Sequence, residues 1–175
     1  MALALTWPTS QAVLLDAGER RAAFLGEAVD VLGLRSRVDV VRARAEDAGR
    51  APALRGSFDL VVARSFGPPP VTAECAAPFL QVGGLMIVSE PPHDVTAGVS
   101  RVPTAADGAR VGGAPVTSPG RWPAAALAQL GLEPLYAFRT AFGYQVLRQV
   151  HLCPERYPRR AGIVAKRPLY REQER

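Results

Sequence analysis

The chain has 175 residues, of which 48% are hydrophobic and 21% are charged, and it carries a net charge of +5. This composition is typical of a single globular domain, and no run of about 18 apolar residues is present to span a membrane. Met1–Leu5 lacks the basic start of a signal peptide. Cys75 and Cys153 lie far apart and neither histidine has a metal-binding neighbour, so we expect free thiols, no metal site and a cytoplasmic protein.

The positive charge lies at the C-terminal end of the chain. Residues 1–155 contain 14 arginines and 14 acidic residues, which cancel. The basic residues beyond that point are Arg156, Arg159, Arg160, Lys166, Arg167, Arg171 and Arg175. Such an excess either binds a polyanion or forms a solvated end that aids solubility, and charge alone leaves both interpretations open.

Short apolar runs alternate with helical patterns along the first 90 residues. The predicted strands are Ala12–Leu15, Val38–Val41, Phe58–Arg64 and Leu85–Val88, the last after a turn at Gly83-Gly84. Glu19–Leu32 predicts an amphipathic helix and Thr72–Leu80 a second helix. Asp16 and Glu19 have the spacing of a capping box, and Gly33 lies where a C-terminal cap belongs.

The second half of the chain predicts a loop, a helix and a hairpin. Residues 91–121 are rich in Pro, Gly, Ala, Ser and Thr and indicate a long irregular loop, followed by a helix at Pro123–Leu130. Leu135–Arg139 and Tyr144–Val150 alternate in polarity and predict a closing hairpin. This order predicts an open α/β, Rossmann-like sheet over residues 1–150, followed by a basic tail at residues 151–175.

Three polar residues lie at the ends of predicted strands, where ligands bind in open α/β sheets. Asp16 is placed either to hold the hydroxyls of a ribose or to cap the next helix. Glu46 lies either beside an adenine or as a solvated carboxylate at a helix start. Arg64 either faces the mouth of the sheet or is solvated or paired. Together they suggest a nucleoside-containing ligand.

The sequence does not identify a catalytic residue, because no Ser/His/Asp or Cys/His set stands out. Glu90-Pro91-Pro92-His93 is a weak match to a motif of amino-methylating enzymes, and methyl transfer from a sulfonium donor does not require such a set. The donor is already activated and an aromatic nitrogen is already nucleophilic, so positioning supplies most of the acceleration.

Taken together, these patterns resemble the ribosomal RNA small-subunit methyltransferase G family, also called glucose-inhibited division protein B. The resemblance covers most of the chain, and its most specific part is in the basic tail. The stretches that carry it are Val13–Asp16 with Arg20–Leu25, Arg44–Glu46, Phe58–Phe66, and Arg156–Gly162 with Ala165–Leu169.

The resemblance implies a class I methyltransferase fold that uses S-adenosyl-L-methionine to methylate guanine N7 in small-subunit (16S) ribosomal RNA. It implies that Ala45 and Glu46 contact the adenosine side of the cofactor, that Asp16 faces its ribose, and that Arg64 is a further cofactor contact. The RNA-facing residues implied in the basic tail are Arg156, Arg159, Arg160, Lys166 and Arg167. We expect a monomer without a metal and without a membrane association.

Two departures from the family pattern bear on activity. Members have a first strand and a Gly-x-Gly-x-Gly loop before the position of Asp16, whereas only Met1–Ser10 precede the strand here and resemble the end of the helix after that loop. Either the chain is a fragment, whose strands ending at Asp16 and Arg64 lack their shared neighbour, or its sheet has rearranged; we expect the fragment. Many relatives also carry Lys-Gly where this chain has Glu90-Pro91.

Two other functions are compatible with the sequence. A non-catalytic RNA-binding module derived from this fold would keep the sheet and the basic tail without the cofactor site. A fragment of a dinucleotide oxidoreductase would also use an acid at a strand end, but gives the basic tail no role.

Overall fold

The computed structural model describes residues 1–91, 120–139 and 142–171. Most of the predicted loop at residues 91–121 lies outside these ranges. The strands are β1 (Ala12–Asp16), β2 (Val38–Arg42), β3 (Phe58–Ala63), β4 (Leu80–Glu90), β5 (Leu132–Arg139) and β6 (Gly143–Gln149). The α-helices are α1 (Ala2–Thr6), α2 (Glu19–Val31), α3 (Ala45–Ala48), α4 (Pro69–Ala76), α5 (Ala124–Leu127) and α6 (Ile163–Lys166). In the described ranges, no helix is long and apolar enough to cross a membrane.

The chain divides into two compact units, residues 1–48 and residues 49–175. In the first unit, β1 and β2 pair in parallel, from Ala12 opposite Val38 to Asp16 opposite Arg42. Its core is formed by Ala4, Val29, Leu34 and Val38, with Met1, Ala12, Leu14 and Val40 packed against them. The predicted limits of a domain at residues 1–150 and a tail at residues 151–175 remain a prediction.

The two ends of α2 differ in how well the sequence predicted them. At the C-terminal end, Gly33 has a φ of 65°, and the Leu34 N–H donates to the Val29 carbonyl at 2.9 Å. This is the Schellman arrangement, so the predicted cap is confirmed. At the other end the N-cap is Gly18, which has no side chain to offer, and the predicted capping box of Asp16 and Glu19 is wrong.

The second unit is built on a four-stranded sheet with the order β3-β4-β6-β5. β3 and β4 are parallel, and the other two pairings are antiparallel, which confirms the predicted hairpin. One face carries the main core. Its buried residues are Ala73, Ala76, Ala77, Leu80, Met86, Val88, Trp122, Leu127, Leu130, Leu132, Leu147, Cys153 and Tyr157.

The start of β4 was predicted wrongly. The strand begins at Leu80 and runs through the glycines predicted as a turn, with a register shift opposite β3 between Phe58 and Leu60. A Cβ on Gly84 would lie 3.0 Å from the carbonyl oxygens of Phe58 and Gln81. Gly84 therefore marks a close backbone approach within a sheet rather than a chain reversal.

Four strands have an edge without a strand neighbour in the part of the chain that the structure describes. They are β1 and β2 in the first unit, and β3 and β5 in the second. The expectation that the strands ending at Asp16 and Arg64 lack a shared neighbour stays a prediction.

Candidate functional site

Asp16 ends β1 with its carboxylate fixed by two groups that follow it in the chain. Oδ1 accepts the Gly18 N–H at 2.7 Å, and the Arg21 Nε donates to Oδ1 at 2.9 Å and to Oδ2 at 2.8 Å. The carboxylate is one quarter exposed and Arg21 is largely exposed. A Cβ on Gly18 would lie 2.8 Å from the Arg21 guanidinium, so this glycine leaves the space that Arg21 occupies.

The Asp16–Arg21 pair predicts a specific acid titration. The Arg21 hydrogen bond, aided by the Gly18 N–H, lowers the pKa of Asp16 below its ordinary value. The ion pair therefore stabilises the folded protein fully at pH values above the ordinary pKa of an aspartate. This stabilisation is lost as the pH falls through the lowered pKa of Asp16 in the folded state. In a carboxyl ¹³C NMR titration, we expect Arg21→Ala to raise the Asp16 midpoint.

A second pair in the same unit provides the control for this titration. Arg35 Nε donates to Asp30 Oδ1 at 2.6 Å, and this hydrogen bond likewise lowers the pKa of Asp30. Arg35→Ala is therefore expected to raise the Asp30 midpoint and leave that of Asp16 unchanged. An Asp16 midpoint that does not respond to Arg21→Ala contradicts the assigned pair.

Ala45 and Glu46 open α3, directly after β2. Ala45 is buried and Glu46 is half-buried. Because β1 and β2 run in parallel, Asp16 and Glu46 follow the carboxyl ends of adjacent strands, and the Ala43 N–H donates to the Asp16 carbonyl at 3.2 Å. The first unit thus places both predicted carboxylates at one end of its sheet.

Arg64 follows β3 in the second unit and lies at the carboxyl end of that strand. Its side chain is exposed, and its Cζ lies 5.5 Å from the centre of the Phe142 ring. Phe142 precedes β6 and is 54% exposed. Sequence reasoning missed Phe142, because its position beside Arg64 depends on how the hairpin pairs with β4.

Glu90, the last residue of β4, is held by side chains that follow the loop. Its Oε1 accepts the Trp122 Nε1–H at 2.5 Å and its Oε2 accepts the Arg121 Nε–H at 2.8 Å. The Tyr170 hydroxyl donates to the Arg121 carbonyl at 3.0 Å. The Glu90 carboxylate therefore takes part in an ion pair with Arg121 and a hydrogen bond with Trp122.

The first part of the basic tail is attached to the second unit through Arg55. Its guanidinium donates to four carbonyl oxygens at 2.7–3.0 Å, those of Gly49, Cys153, Pro154 and Tyr157. An arginine carries five N–H donors in a fixed fork, so one side chain can gather several carbonyls. The segment that begins at Cys153 is thereby fixed in place.

A buried ion pair attaches the next part of the tail to α4. Glu74 has no exposed side-chain surface and accepts the Arg159 Nε–H at 2.8 Å, the Arg159 Nη2–H at 2.6 Å and the Arg159 backbone N–H at 2.9 Å. Arg50 Nη2 adds a hydrogen bond to the Pro158 carbonyl at 2.5 Å. The Arg159 guanidinium is thus engaged within the protein, with its pKa raised by the Glu74 hydrogen bond.

The other cations predicted to face RNA are on the surface. Arg156, Arg160, Lys166 and Arg167 are all exposed, and so is Arg171. The Arg156 guanidinium lies 5.0 Å from the centre of the Tyr157 ring. The described part of the tail, residues 151–171, is therefore a folded segment that leaves these cations exposed.

The described residues contain no group of three or more His, Cys, Asp or Glu side chains that could hold a metal ion. Cys75 and Cys153 are both buried. Burial raises the pKa of the Cys153 thiol to about 11, so this cysteine is a poor nucleophile.

The model of the family rRNA small subunit methyltransferase G matches residues 1–93, which is more than half of the chain and includes Asp16, Ala45, Glu46 and Arg64. The chain belongs to the rRNA small subunit methyltransferase G family. The family predicted from the sequence is confirmed.

Two relatives named ribosomal RNA small subunit methyltransferase G match nearly the whole chain. That of Rubrobacter xylanophilus is 35% identical over 170 residues, which cover 95% of this chain and 59% of the relative. That of Leuconostoc citreum is 32% identical over 173 residues, which cover 95% of this chain and 63% of the relative. The chain thus spans about three-fifths of the length of these methyltransferase G relatives.

Solved structures share the fold at low sequence identity. A protein described as a candidate methylase of Haemophilus influenzae superposes with a TM-score of 0.52 at 14% identity, covering 86% of this chain and 79% of that chain. A candidate O-methyltransferase of Klebsiella pneumoniae superposes with a TM-score of 0.50 at 16% identity, covering 81% of this chain and 62% of that chain. These likenesses confirm the predicted Rossmann-like fold class.

Proposed function

We propose that the protein is an S-adenosyl-L-methionine-dependent methyltransferase that methylates guanine N7 in small-subunit (16S) ribosomal RNA. It would act in the cytoplasm as a monomer. The observation that most supports this is the 35% identity to a ribosomal RNA small subunit methyltransferase G across 95% of the chain.

The carboxylates of the first unit suit the adenosine part of such a cofactor. Ribose hydroxyls require acceptors, and each carboxylate oxygen has two lone-pair sites. The Gly18 and Arg21 contacts leave Asp16 with acceptor capacity and one quarter of its side chain exposed. In this proposal Asp16 binds the ribose, and Ala45 and Glu46 contact the adenosine side. Arg64 is proposed as a further cofactor contact.

Methyl transfer requires mainly that the protein position the methyl donor and the guanine relative to each other. When bound, S-adenosyl-L-methionine supplies an activated methyl group, which moves to N7 as the sulfur–methyl bond breaks and the N7–methyl bond forms, with no proton transferred. The protein residues then have to hold the reacting groups in line and exclude water.

The exposed cations of the tail suit the RNA. Arg156, Arg160, Lys166 and Arg167 lie on a segment that Arg55 and Glu74 hold to the second unit. Cations on a folded surface neutralise phosphates and release counterions, which gives binding that depends on salt. Arg159 is assigned the different task of pairing with Glu74.

The cofactor part is tested by titrating the protein with S-adenosylhomocysteine in a calorimeter. We expect binding that Glu46→Ala and Arg64→Ala both weaken, and methyl transfer to small-subunit RNA that maps to a guanine N7. RNA binding without any cofactor binding would instead favour the non-catalytic RNA-binding module.

The RNA part is tested with charge reversals on the tail. Arg160→Glu and Lys166→Glu are expected to weaken binding of a small-subunit RNA fragment. The slope of log K against log salt should fall by roughly 0.7 to 0.9 for each phosphate that the variant no longer neutralises. Arg35→Glu makes the same kind of charge change at an exposed residue of the first unit and is the control. Equal effects of all three changes would mean that only net charge matters.

A further inference from the structure

We propose that Phe142 is a positioning residue whose ring holds the Arg64 guanidinium at the carboxyl end of β3. This inference rests on the proposed function, in which Arg64 contacts the cofactor. The contact that carries it is the 5.5 Å separation between the Arg64 Cζ and the centre of the Phe142 ring. A guanidinium within about 6 Å of a ring centroid is attracted by the negative face of the ring.

The strand register explains why these two residues meet. Ala63 lies opposite Val88 in the parallel pairing, and Glu90 lies opposite Gly143 in the antiparallel pairing. Arg64 follows Ala63, and Phe142 precedes Gly143. Both residues therefore lie at the same end of the sheet, at the carboxyl ends of β3 and β4, and β4 lies between their strands. Ligands of open α/β sheets bind outside the carboxyl ends of the strands.

The hairpin end that carries Phe142 is supported by other aromatic rings. The Phe138 and Tyr144 rings stack with their centres 5.0 Å apart and an angle of 20° between their planes. The Tyr136 ring adds to this row at 6.1 Å from Phe138. Tyr144 is the second residue of β6, so this row of rings lies two residues from Phe142.

The chain around Arg64 is shaped to present its side chain. Ser65, the next residue, has a φ of 51°, the only positive φ of a non-glycine residue among those the structure describes. A serine in this conformation is strained and is found where the fold requires a particular turn. The chain therefore bends sharply directly after Arg64 and leaves its guanidinium exposed over the Phe142 ring.

Holding Arg64 matters because an exposed arginine has many rotamers. Fixing a long side chain on binding costs conformational entropy, and a side chain that is already fixed loses less. Phe142 is therefore expected to raise cofactor affinity through Arg64 without touching the cofactor itself.

The test is a series of substitutions at position 142 with S-adenosylhomocysteine as the titrant. Phe142→Leu keeps the apolar bulk but loses the ring, and we expect the Kd to rise by about two- to fivefold. Phe142→Trp keeps an aromatic ring over Arg64, so we expect it to keep the wild-type Kd. Fluorinated phenylalanines, which withdraw electrons from the ring face, raise the Kd stepwise with the number of fluorines. A purely structural role would not follow the electron density of the ring.

Phe66→Leu is the matched control, because Phe66 lies in the bend directly after Arg64 and its side chain, like that of Phe142, is about half exposed, at 51%. It should leave the Kd unchanged. A Kd that is the same across the position 142 series, or that responds equally to Phe66→Leu, overturns the role of Phe142. In an Arg64→Ala background, Phe142→Leu should have no further effect, and an effect of the same size there also overturns it.

A second readout separates this inference from the proposed function. The Arg64 side-chain N–H signal in an NMR spectrum is shifted by the current of a nearby ring, and we expect Phe142→Leu to move it without any cofactor. Failure of the wild-type protein to bind S-adenosylhomocysteine overturns the proposed function. An Arg64 signal that Phe142→Leu leaves in place overturns the ring contact.

Discussion

Glu74→Ala is expected to lower the free energy of unfolding by about 3 kcal/mol. The substitution leaves the Arg159 guanidinium, whose side chain is only 29% exposed, without its carboxylate. It also leaves the Arg159 backbone N–H without an acceptor. Removing one partner of a buried ion pair strands a charge in a poorly solvated place, and this costs far more than the pair itself contributes. Chemical denaturation followed by circular dichroism measures the loss.

An exposed ion pair of the same unit is the control for Glu74. Glu133 and Arg148 pair across β5 and β6 with side chains 40% and 47% exposed, so Glu133→Ala should cost no more than about 1 kcal/mol. The double variant Glu74→Ala/Arg159→Ala should lose less stability than the sum of the single variants, because it strands no charge. Additive losses would contradict the assigned pairing.

Arg55→Ala is expected to release the segment that begins at Cys153 and to destabilise the unit by about 2 to 3 kcal/mol. The four carbonyl groups that Arg55 serves would have to find water or another donor. Cys153 lies inside this segment and is only 7% exposed, so its reaction with a thiol reagent measures the release. We expect faster labelling of Cys153 in the variant.

The direction in which the Cys153 labelling rate changes distinguishes release of the segment from loss of the Arg55 charge. The Arg55 charge opposes the effect of burial and keeps the pKa of this thiol lower than it would otherwise be. Loss of the charge alone would therefore slow labelling, whereas release of the segment speeds it. Cys75, which is buried in α4, is the internal control, and Arg55→Lys keeps the charge without the fork of donors. Slower labelling contradicts the release.

Local sequence patterns predicted the elements of this fold well. Apolar runs placed β1, β2 and β3 to within one residue, because short runs rich in valine favour strands. Gly33 was recognisable as a helix cap, since only glycine takes a positive φ there without strain. The start of β4 was not predictable, because Gly83-Gly84 reads as a turn unless the partner strand is known.

The candidate site likewise contains residues that local sequence indicates and contacts that only the folded chain reveals. Asp16 and Glu46 were chosen as candidates from their place at the ends of strands, which is a local property. The partner of Arg159 lies 85 positions earlier in the chain, so composition predicted a basic tail but could not show which cation the protein itself engages. Phe142 depends on the register of two strand pairings, and no pattern in its own neighbourhood indicates that Arg64 lies beside it.

The attachment of the basic tail through Arg55 and Glu74 has a consequence for how it meets a polyanion. A disordered tail loses its conformational freedom when it binds, and this loss weakens the complex. Here that freedom is already lost when the unit folds, so in the proposed RNA complex the cations would meet the phosphates as a preorganised array. Changes at α4, on the other side of the ion pair, should therefore weaken RNA binding without removing any surface charge.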